Sequence, residues 1–199
     1  MRSFTKKEKV GIGIILSVIL ILTTLNLRIS LRKSREAQRR SDIGAMSDAL
    51  DKYQKDFGFF PPSTPDGKIL ACKGENFGNF PDDIPEGEKR NYFFKTLRGC
   101  NWGEDGLRDV NDDTFEPYLK TIPNDPSVGM GYSYLYLSDI NRYQLYAYLE
   151  GGSGEIGFRD GIVARDLNCG SNICNFGKGF GDTPLEKSIE EYENEIRQK

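Results

Sequence analysis

A run of eighteen uncharged residues near the N-terminus constrains this chain more than any other feature. The run extends from Val10 to Leu27 and is dominated by isoleucine and leucine. At about 1.5 Å per residue, a helix of that length covers roughly 27 Å of a hydrocarbon core about 30 Å thick. The segment is therefore predicted to be a transmembrane helix.

The helix is predicted to continue well beyond the apolar run. No proline occurs before Pro61, and glycine occurs at only three positions before Phe57. Nothing in the sequence therefore stops the helix where it would leave a bilayer. We predict one helix from about Glu8 to Phe57, terminated by Gly58.

The second half of this helix carries an apolar stripe. Hydrophobic side chains recur at spacings of three and four, which places them on one face: Ile43, Met46, Leu50, Tyr53 and Phe57. The charged residues of the same stretch are predicted to lie on other faces: Asp42, Asp48, Asp51, Lys52, Lys55 and Asp56. The stripe requires a covering partner, and the chain after Gly58 is the candidate domain.

Two aromatic, alternating segments are the clearest strands of that domain. Tyr132 to Leu137 and Tyr143 to Leu149 are joined by a short polar stretch and predict a β-hairpin. The alternate residues that begin with Tyr143 are predicted to face the long helix. A further short strand is predicted near Gly161 to Ala164, followed by glycine-rich loop up to Gly181.

The C-terminal residues predict another helix. Thr183, Pro184 and Glu186 have the form of a capping box with proline at the first helical position, and apolar residues follow at helical spacing. The predicted parts are a basic flank (1–9), a transmembrane helix (10–27), its continuation (28–57), a globular domain (58–182) and a C-terminal amphipathic helix (183–199). The fold class is α+β: a long N-terminal helix packed by its second half on a small antiparallel sheet, with many loops and an extra C-terminal helix.

The charges are distributed unevenly. Residues 1–42 contain ten Lys and Arg against three Asp and Glu, which leaves seventeen against twenty-seven in the rest of the chain. So acidic a domain is a poor nucleic-acid binder, and no nucleic-acid partner is predicted. The basic residues instead flank the apolar run, where they suit the headgroups of membrane lipid: Arg2, Lys6, Lys7 and Lys9 before it, and Arg28, Arg32, Lys33, Arg35, Arg39 and Arg40 after it.

Four cysteines lie in the predicted domain of a chain that has no histidine. Because there is also no Cys-x-x-Cys spacing, two disulfides are a simpler interpretation than a metal site, and four buried free thiols are the alternative. Cys169 and Cys174 are close in sequence and are predicted to pair, which leaves Cys72 with Cys100. Disulfides imply an oxidising exterior.

The charge count alone says little about orientation. Four Lys and Arg precede the apolar run and six follow it, which leans slightly towards a cytoplasmic domain. The predicted disulfides lean the other way, and we predict a cytoplasmic N-terminus and an exterior C-terminal domain. A cleaved signal peptide is disfavoured, because the apolar run is long and no small-residue cleavage site follows it.

Short motifs after the apolar run resemble a known family. They are REAQRRSDI (35–43), FEPYL (115–119), IPNDP (122–126), YSY (132–134) and YQL (143–145). In this order they resemble type IV pilin-like proteins and, more narrowly, the major pseudopilin of type II secretion. The resemblance covers roughly residues 4 to 176. It implies a pilin-like fold and assembly with copies of the chain or with other pseudopilin-like subunits.

The same resemblance implies processing near the N-terminus. Family members are cut by a prepilin peptidase after a glycine and carry a glutamate early in the mature chain. That signal falls on Ser3, Phe4 and Glu8, with serine in place of glycine. Three nearby lysines stand where the family has apolar residues, so an ordinary basic juxtamembrane flank stays open as the alternative.

The resemblance further implies a calcium site in the loops after the hairpin, where the available acids are Glu150, Asp160 and Asp166. A second candidate is a run of alternating oxygen donors like the start of an EF-hand loop: Asp109, Asn111 and Asp113. Solvated loop acids are the alternative in both cases. No other cofactor is predicted.

Common catalytic groups are missing from the sequence. With no histidine, no phosphate-binding glycine loop and no nucleophile-elbow serine, the usual catalytic pairs cannot be assembled. We expect a non-enzymatic single-pass membrane protein with a pseudopilin-like exterior domain, a subunit or accessory of a type II secretion or type IV pilus-like system. A stand-alone membrane-anchored binding module that does not polymerise is the alternative, and an anchored exterior enzyme is a third class.

Overall fold

The computed structural model describes residues 5–79, 81 and 84–198. Its first element is helix α1, Lys6–Phe57, which is 52 residues long. Thr5 and Glu8 form a capping box in which each side chain accepts a hydrogen bond from the other residue's amide. Gly58 ends the helix with φ 77°, a left-handed conformation that glycine adopts without steric cost. The single long helix is confirmed.

The first half of α1 stands clear of the rest of the chain. Its most apolar 18-residue window has a mean hydropathy of 2.4 and no buried residue, and it is long and apolar enough to cross a membrane. In water, so much exposed apolar surface would be unfavourable, whereas a bilayer removes that cost.

The second half of α1 packs on the domain. Ile43, Met46, Leu50 and Tyr53 are at most 3 % exposed, and Phe57 packs at the edge of the same core. The predicted apolar stripe is therefore confirmed as a core face.

One charged residue of α1 departs from the prediction. Asp42 is buried rather than on a solvent-facing side of the helix. Its carboxylate accepts hydrogen bonds from Tyr134 Oη and from Gln38 Nε2, both at 2.6 Å. Burial and the Asp42 carboxylate raise the pKa of Tyr134, so the phenol remains a donor. These bonds offset the cost of burying the charge.

The elements after α1 are short and are joined by long loops. They are β1 (Leu70–Lys73), α2 (Lys89–Thr96), β2 (Leu97–Gly99), β3 (Leu135–Ser138), β4 (Tyr143–Ala147), α3 (Asp160–Val163), β5 (Asn168–Cys169), β6 (Asn172–Ile173), β7 (Phe176–Gly179) and α4 (Ile189–Arg197). Single 3-10 turns lie at Glu86–Glu88, Val128–Met130 and Gly152–Gly154. The strands form antiparallel sheets in the orders β1-β2, β3-β4-β7 and β5-β6. The predicted α+β layout is confirmed.

Strand β4 is the centre of the three-stranded sheet. The predicted hairpin is confirmed by the antiparallel pairing of β3 with β4, in which Leu135 lies opposite Tyr146. Tyr143 and Leu145 are buried in the same core as the stripe of α1, as predicted. Tyr143 Oη also forms a hydrogen bond of 2.7 Å with Ser47 Oγ of α1.

The third strand of this sheet differs from the prediction. The predicted strand near Gly161 to Ala164 is wrong, because those residues lie mainly in helix α3, and the predicted loop up to Gly181 contains β7. A β-carbon at Gly177 would lie 2.5 Å from the carbonyl oxygen of Leu145. Glycine therefore permits the close pairing of β7 with β4, although it weakens strand propensity.

The C-terminal helix is shorter than the predicted 183–199. Helix α4 follows Ser188, whose hydroxyl accepts a hydrogen bond from the Glu191 amide in a capping box. The predicted cap at Thr183 is wrong, because the residues after it lie against the outer face of β4. Leu185 is buried there, and its carbonyl accepts a hydrogen bond of 3.0 Å from Tyr146 Oη. The segment before α4 thus completes a second small core.

Both predicted disulfides are present. Cys72 bonds to Cys100 with Cα atoms 5.2 Å apart, and Cys169 bonds to Cys174 with Cα atoms 5.1 Å apart. The first joins β1 to the residue that follows β2, and the second closes the β5-β6 hairpin. Two covalent links therefore hold a domain whose strands are short.

Removing the disulfide of longer range is expected to cost more stability. Cys72 and Cys100 are 28 residues apart, whereas Cys169 and Cys174 are 5 apart. Chain entropy gives about 3 to 4 kcal/mol for the first link and roughly 2 kcal/mol for the second. Urea unfolding of the two double alanine variants measures both losses. A larger loss from the short-range pair would contradict the entropic account.

Candidate functional site: an arginine cluster on the long helix

Four arginines of α1, just past the apolar run, are paired with carboxylates. We call the whole set the arginine cluster: Arg32, Arg35, Arg39 and Arg40 with Glu36, Asp125, Glu150 and Glu155. Spacings of three and four residues bring the helical members to the side of α1 that faces the domain. The other members come from two loops, which we call loop 125–131 and loop 150–157.

Arg39 is the centre of the cluster, and its side chain is completely buried. Nε and Nη2 donate to the two carboxylate oxygens of Asp125 at 2.8 and 3.0 Å, and Nη1 donates to Glu150 Oε1 at 2.9 Å. Nη2 also donates to Ser127 Oγ at 2.9 Å, and the guanidinium carbon lies 5.4 Å from the centre of the Tyr132 ring. Burial lowers the pKa of Arg39, but its bonds to Asp125 and Glu150 outweigh burial and raise it, so the group stays charged.

Glu150 joins two successive turns of α1. Its carboxylate accepts two hydrogen bonds from Arg35, one of them from Nε at 2.8 Å, in addition to the bond from Arg39. The hydrogen bond from Arg35 is the main cause that lowers the pKa of Glu150 to about 2, with Arg39 adding to it and partial burial opposing it. Glu150 is therefore an anion at all ordinary pH values.

Glu36 is a buried carboxylate that the cluster satisfies on one side only. Its Oε1 accepts hydrogen bonds from the backbone amides of Glu150 at 2.6 Å and Gly151 at 3.3 Å. Its Oε2 is buried and has no hydrogen-bond partner among the described residues. Burial raises the pKa of Glu36, although the two amides and Arg39, 3.8 Å away, oppose that rise.

Glu155 ties the far end of loop 150–157 to α1. Its carboxylate oxygens lie 3.5 Å from Arg32 Nη2 and 3.2 Å from Arg40 Nη2. Arg40 Nε also donates to the carbonyl oxygen of Ile156 at 3.1 Å. The loop is therefore attached to the helix at both of its ends.

The cluster can transmit position and force between α1 and the domain. Its four cationic and four anionic side chains balance. A buried ion that loses its partner is costly, so the loops cannot move away from α1 without exposing or unpairing several ions together. The direction in which α1 leaves the domain is fixed by these contacts.

The residues predicted to bind calcium are not assembled into a site. Within residues 5–79, 81 and 84–198, no group of three or more His, Cys, Asp or Glu side chains is placed to hold a metal ion. Glu150 meets two guanidinium groups where a cation would have to bind, while Asp160 begins α3 and Asp166 lies beyond that helix. This donor set does not fit calcium.

The second set of predicted calcium donors serves local structure. Asp109 Oδ1 accepts a hydrogen bond of 2.8 Å from the Asn111 amide, which forms a turn. Asp113 binds Lys73 Nζ with both carboxylate oxygens, at 2.9 and 2.8 Å. These residues are occupied by a turn and a surface ion pair.

Of the three predicted processing residues, the structure describes only Glu8. Ser3 and Phe4 lie outside the described residues. Glu8 is exposed at the start of α1, where its carboxylate accepts hydrogen bonds from the Thr5 amide at 2.7 Å and from Thr5 Oγ1 at 2.8 Å. The amide bond, followed by the hydroxyl bond, lowers the pKa of Glu8.

The arginine cluster itself was not predicted. Sequence reasoning assigns all six basic residues after the apolar run to lipid headgroups. For Arg39, which is completely buried, that assignment is wrong, and the partly exposed Arg35 and Arg40 also pair with the domain. Their partners lie 86 to 116 residues further along the chain, so no local spacing reveals the pairing. The one usable hint is a glutamate, Glu36, within a run of arginines.

Replacing Arg39 is expected to destabilise the domain strongly. The Arg39→Met variant would leave Asp125 buried without its partner, at a cost of about 3 to 5 kcal/mol. Arg40→Met is the matched control, because Arg40 is partly exposed and its ion pair is worth about 1 kcal/mol or less. Urea unfolding of the detergent-solubilised variants measures both. Equal losses would show that burial of the Arg39 pairs does not matter.

The two glutamates on either side of Arg39 are expected to respond oppositely to pH. Glu150 stabilises the fold above its ordinary pKa of 4.5, and this contribution is lost as the pH falls towards 2. Glu36 has a raised pKa, so its contribution is present below 4.5 and is lost as the pH rises through the folded value. In the Glu150→Gln variant, the free energy of unfolding should therefore fall less than in wild type between pH 4.5 and about pH 2. Glu36→Gln should remove a gain that wild type shows on acidification above pH 4.5; identical pH profiles for the two variants would contradict both assignments.

No protein-family model, curated protein or solved structure matches this chain. The α+β layout and the arginine cluster therefore rest on the chain's own residues. The pilin-like assignment stays a prediction from the motifs quoted above.

Proposed function

We propose that this chain is a non-enzymatic, single-pass membrane protein whose exterior, pseudopilin-like domain acts by assembly in a type II secretion or type IV pilus-like system. The observation that carries the proposal is the unbroken helix α1. Its apolar first half is bare, while its second half is the spine of the domain. Because the helix is unbroken, a displacement of its apolar half moves the domain with it.

The arginine cluster supports this role. It ties the first turns beyond the apolar run to two loops of the domain through buried or half-buried ion pairs. Without it, the domain would be attached to the exit of α1 by helix alone. With it, a subunit keeps one shape whether it stands in lipid or packs against neighbours.

The domain is proposed to face the exterior. Disulfides persist in oxidising compartments, and both cysteine pairs are bonded. The basic flank, which contains Lys6, Lys7 and Lys9, then lies at the cytoplasmic face, where anionic headgroups attract it. The proposed partners are membrane lipid, copies of this chain and other pseudopilin-like subunits.

A stand-alone anchored binding module is the second candidate, and the surroundings of Glu8 favour it. The Glu8 carboxylate is already used in the cap of α1 by Thr5. In a filament, Lys6, Lys7 and Lys9 would enter a bundle of low dielectric, at several kcal/mol for each unpaired ion. In a solitary anchor the same lysines rest among headgroups at little cost.

Cysteine crosslinking in cells decides between the two. With a bis-maleimide and two cysteines placed on opposite faces of the Val10 to Leu27 segment of each subunit, a filament subunit gives ladders of multimers that disappear in the Glu8→Ala variant. Lys7→Ala, a change of a neighbouring exposed charge, is the control and should leave the ladders intact. A span that stays monomeric in every variant contradicts assembly and supports the anchored module.

N-terminal sequencing of the membrane-extracted protein is the companion measurement. A subunit processed by a prepilin peptidase begins at Phe4. A chain that begins at Met1 excludes that processing.

A further inference from the structure

The most exposed apolar side chains outside α1 are concentrated on two loops. In the described part of the domain, Ile156 is 83 % exposed, Met130 56 % and Val128 50 %, more than any other large hydrophobic residue there. Val128 and Met130 belong to loop 125–131, and Ile156 belongs to loop 150–157. These two loops also carry three of the acidic residues of the arginine cluster.

Helix α1 provides a scale for the height of loop 150–157 above a membrane. Exposed apolar side chains continue from Val10 as far as Leu31, with Arg28 as the one charged residue among them, so the apolar stretch is about 33 Å long and covers the hydrocarbon core. Glu155 contacts both Arg32 and Arg40, which places it level with the turn between them, about 7 Å beyond Leu31. Headgroups occupy roughly 5 to 8 Å on each side of the core. Loop 150–157 therefore lies at headgroup level.

Loop 125–131 lies at the same height. Ser127 Oγ accepts a hydrogen bond from Arg39 at 2.9 Å and lies 3.3 Å from Glu150 Oε1. Side chains of an α-helix lean towards its N-terminus, so Arg39 reaches back towards the apolar half of α1. Val128 follows Ser127 directly, and Met130 lies two residues further on.

The charges of this face also suit a lipid surface. The three acids of the two loops are paired with arginines of α1, so they present no free carboxylate to anionic headgroups. Arg28, about 5 Å before Leu31 along α1, and Lys33, about 3 Å beyond it, are exposed and have no ion-pair partner within the described residues. Both side chains are long enough to extend their charge to phosphates.

We propose that loops 125–131 and 150–157 rest on the headgroup layer of the membrane from which α1 emerges and insert Val128, Met130 and Ile156 into it. The proposal rests on the membrane anchoring that is part of the proposed function. It adds a second membrane contact, made by the domain and continuous with the lipid-facing surface of α1. The three side chains exchange water for the interfacial region, as the apolar face of a monotopic helix does.

Fluorescence quenching in reconstituted vesicles tests this contact. Variants of the full chain with one added cysteine, Val128→Cys, Met130→Cys or Ile156→Cys, are labelled with an environment-sensitive fluorophore. They are then placed in bilayers that contain headgroup-nitroxide lipid. Phe115→Cys is the matched control: Phe115 has similar exposure but lines a groove with Lys52, which lies about 31 Å beyond Leu31 along α1. Leu20→Cys, with a nitroxide deep in the acyl chain, reports whether α1 is inserted.

The expected result is a blue shift and a loss of roughly half the fluorescence at the three loop positions, with no change at position 115. If position 20 is quenched while the loop positions behave like the control, the loop contact is overturned and the anchor stands. If position 20 is not quenched, the anchoring itself fails, and the loop contact fails with it. A blue shift at the loop positions that increases with protein density, without quenching by the lipid nitroxide, would show that a second copy of the chain covers this face. That result also overturns the proposal.

Mass spectrometry of each labelled variant under non-reducing conditions confirms that one label is attached and both native disulfides are intact. Loss of quenching on changing Val128 or Ile156 to aspartate in the Met130-labelled protein is a further expected result. Unchanged quenching in those variants would count against insertion of the loops.

Discussion

The pairing of Arg39 with Asp125 and Glu150 is the interaction on which the rest of the structure depends. Arg39 is completely buried, and its donors are shared between two loops that lie 25 residues apart along the chain. Because no water reaches the guanidinium, its charge is tolerated only while both carboxylates remain in place. The contact therefore fixes the two loops to each other as well as to α1.

The position of this network gives it a functional meaning. It lies within three turns of the end of the apolar stretch of α1, at the point where a helix that spans a membrane would leave the lipid. The network contains four cationic and four anionic side chains, so in the membrane contact that we propose the loops approach headgroups without repulsion. One carboxylate oxygen of Glu36 has no hydrogen-bond partner among the described residues, and burial of this carboxyl group opposes its ionisation.

The rest of the domain is built to support α1. Its strands are short, and the regular hydrogen bonding of a large sheet is missing from the described residues. The stripe from Ile43 to Tyr53, packed against β4, supplies the main core, and two disulfides restrict the long loops. The segment before α4 covers the opposite face of β4 and makes that strand buried on both sides. Such a domain depends on its helix as much as the helix depends on the domain.

Local signals in the sequence were enough for several of these features. The long helix, its apolar stripe, the β3-β4 hairpin and the Cys169–Cys174 link each follow from residues that are close in the chain, and with that link made only one partner remained for Cys72. Strand β7 did not follow, because its glycines have low strand propensity and only the nearby β4 makes them useful.

The burial of Asp42, the course of residues 183–188 and the whole arginine cluster were decided by the tertiary structure. Each depends on a partner from a distant part of the chain, such as Asp125 for Arg39 or Tyr134 for Asp42. A run of arginines beside an apolar segment is compatible with lipid phosphates and with protein carboxylates alike. Which of the two binds it depends on where the folded loops place their charges, and spacing along the sequence carries no record of that.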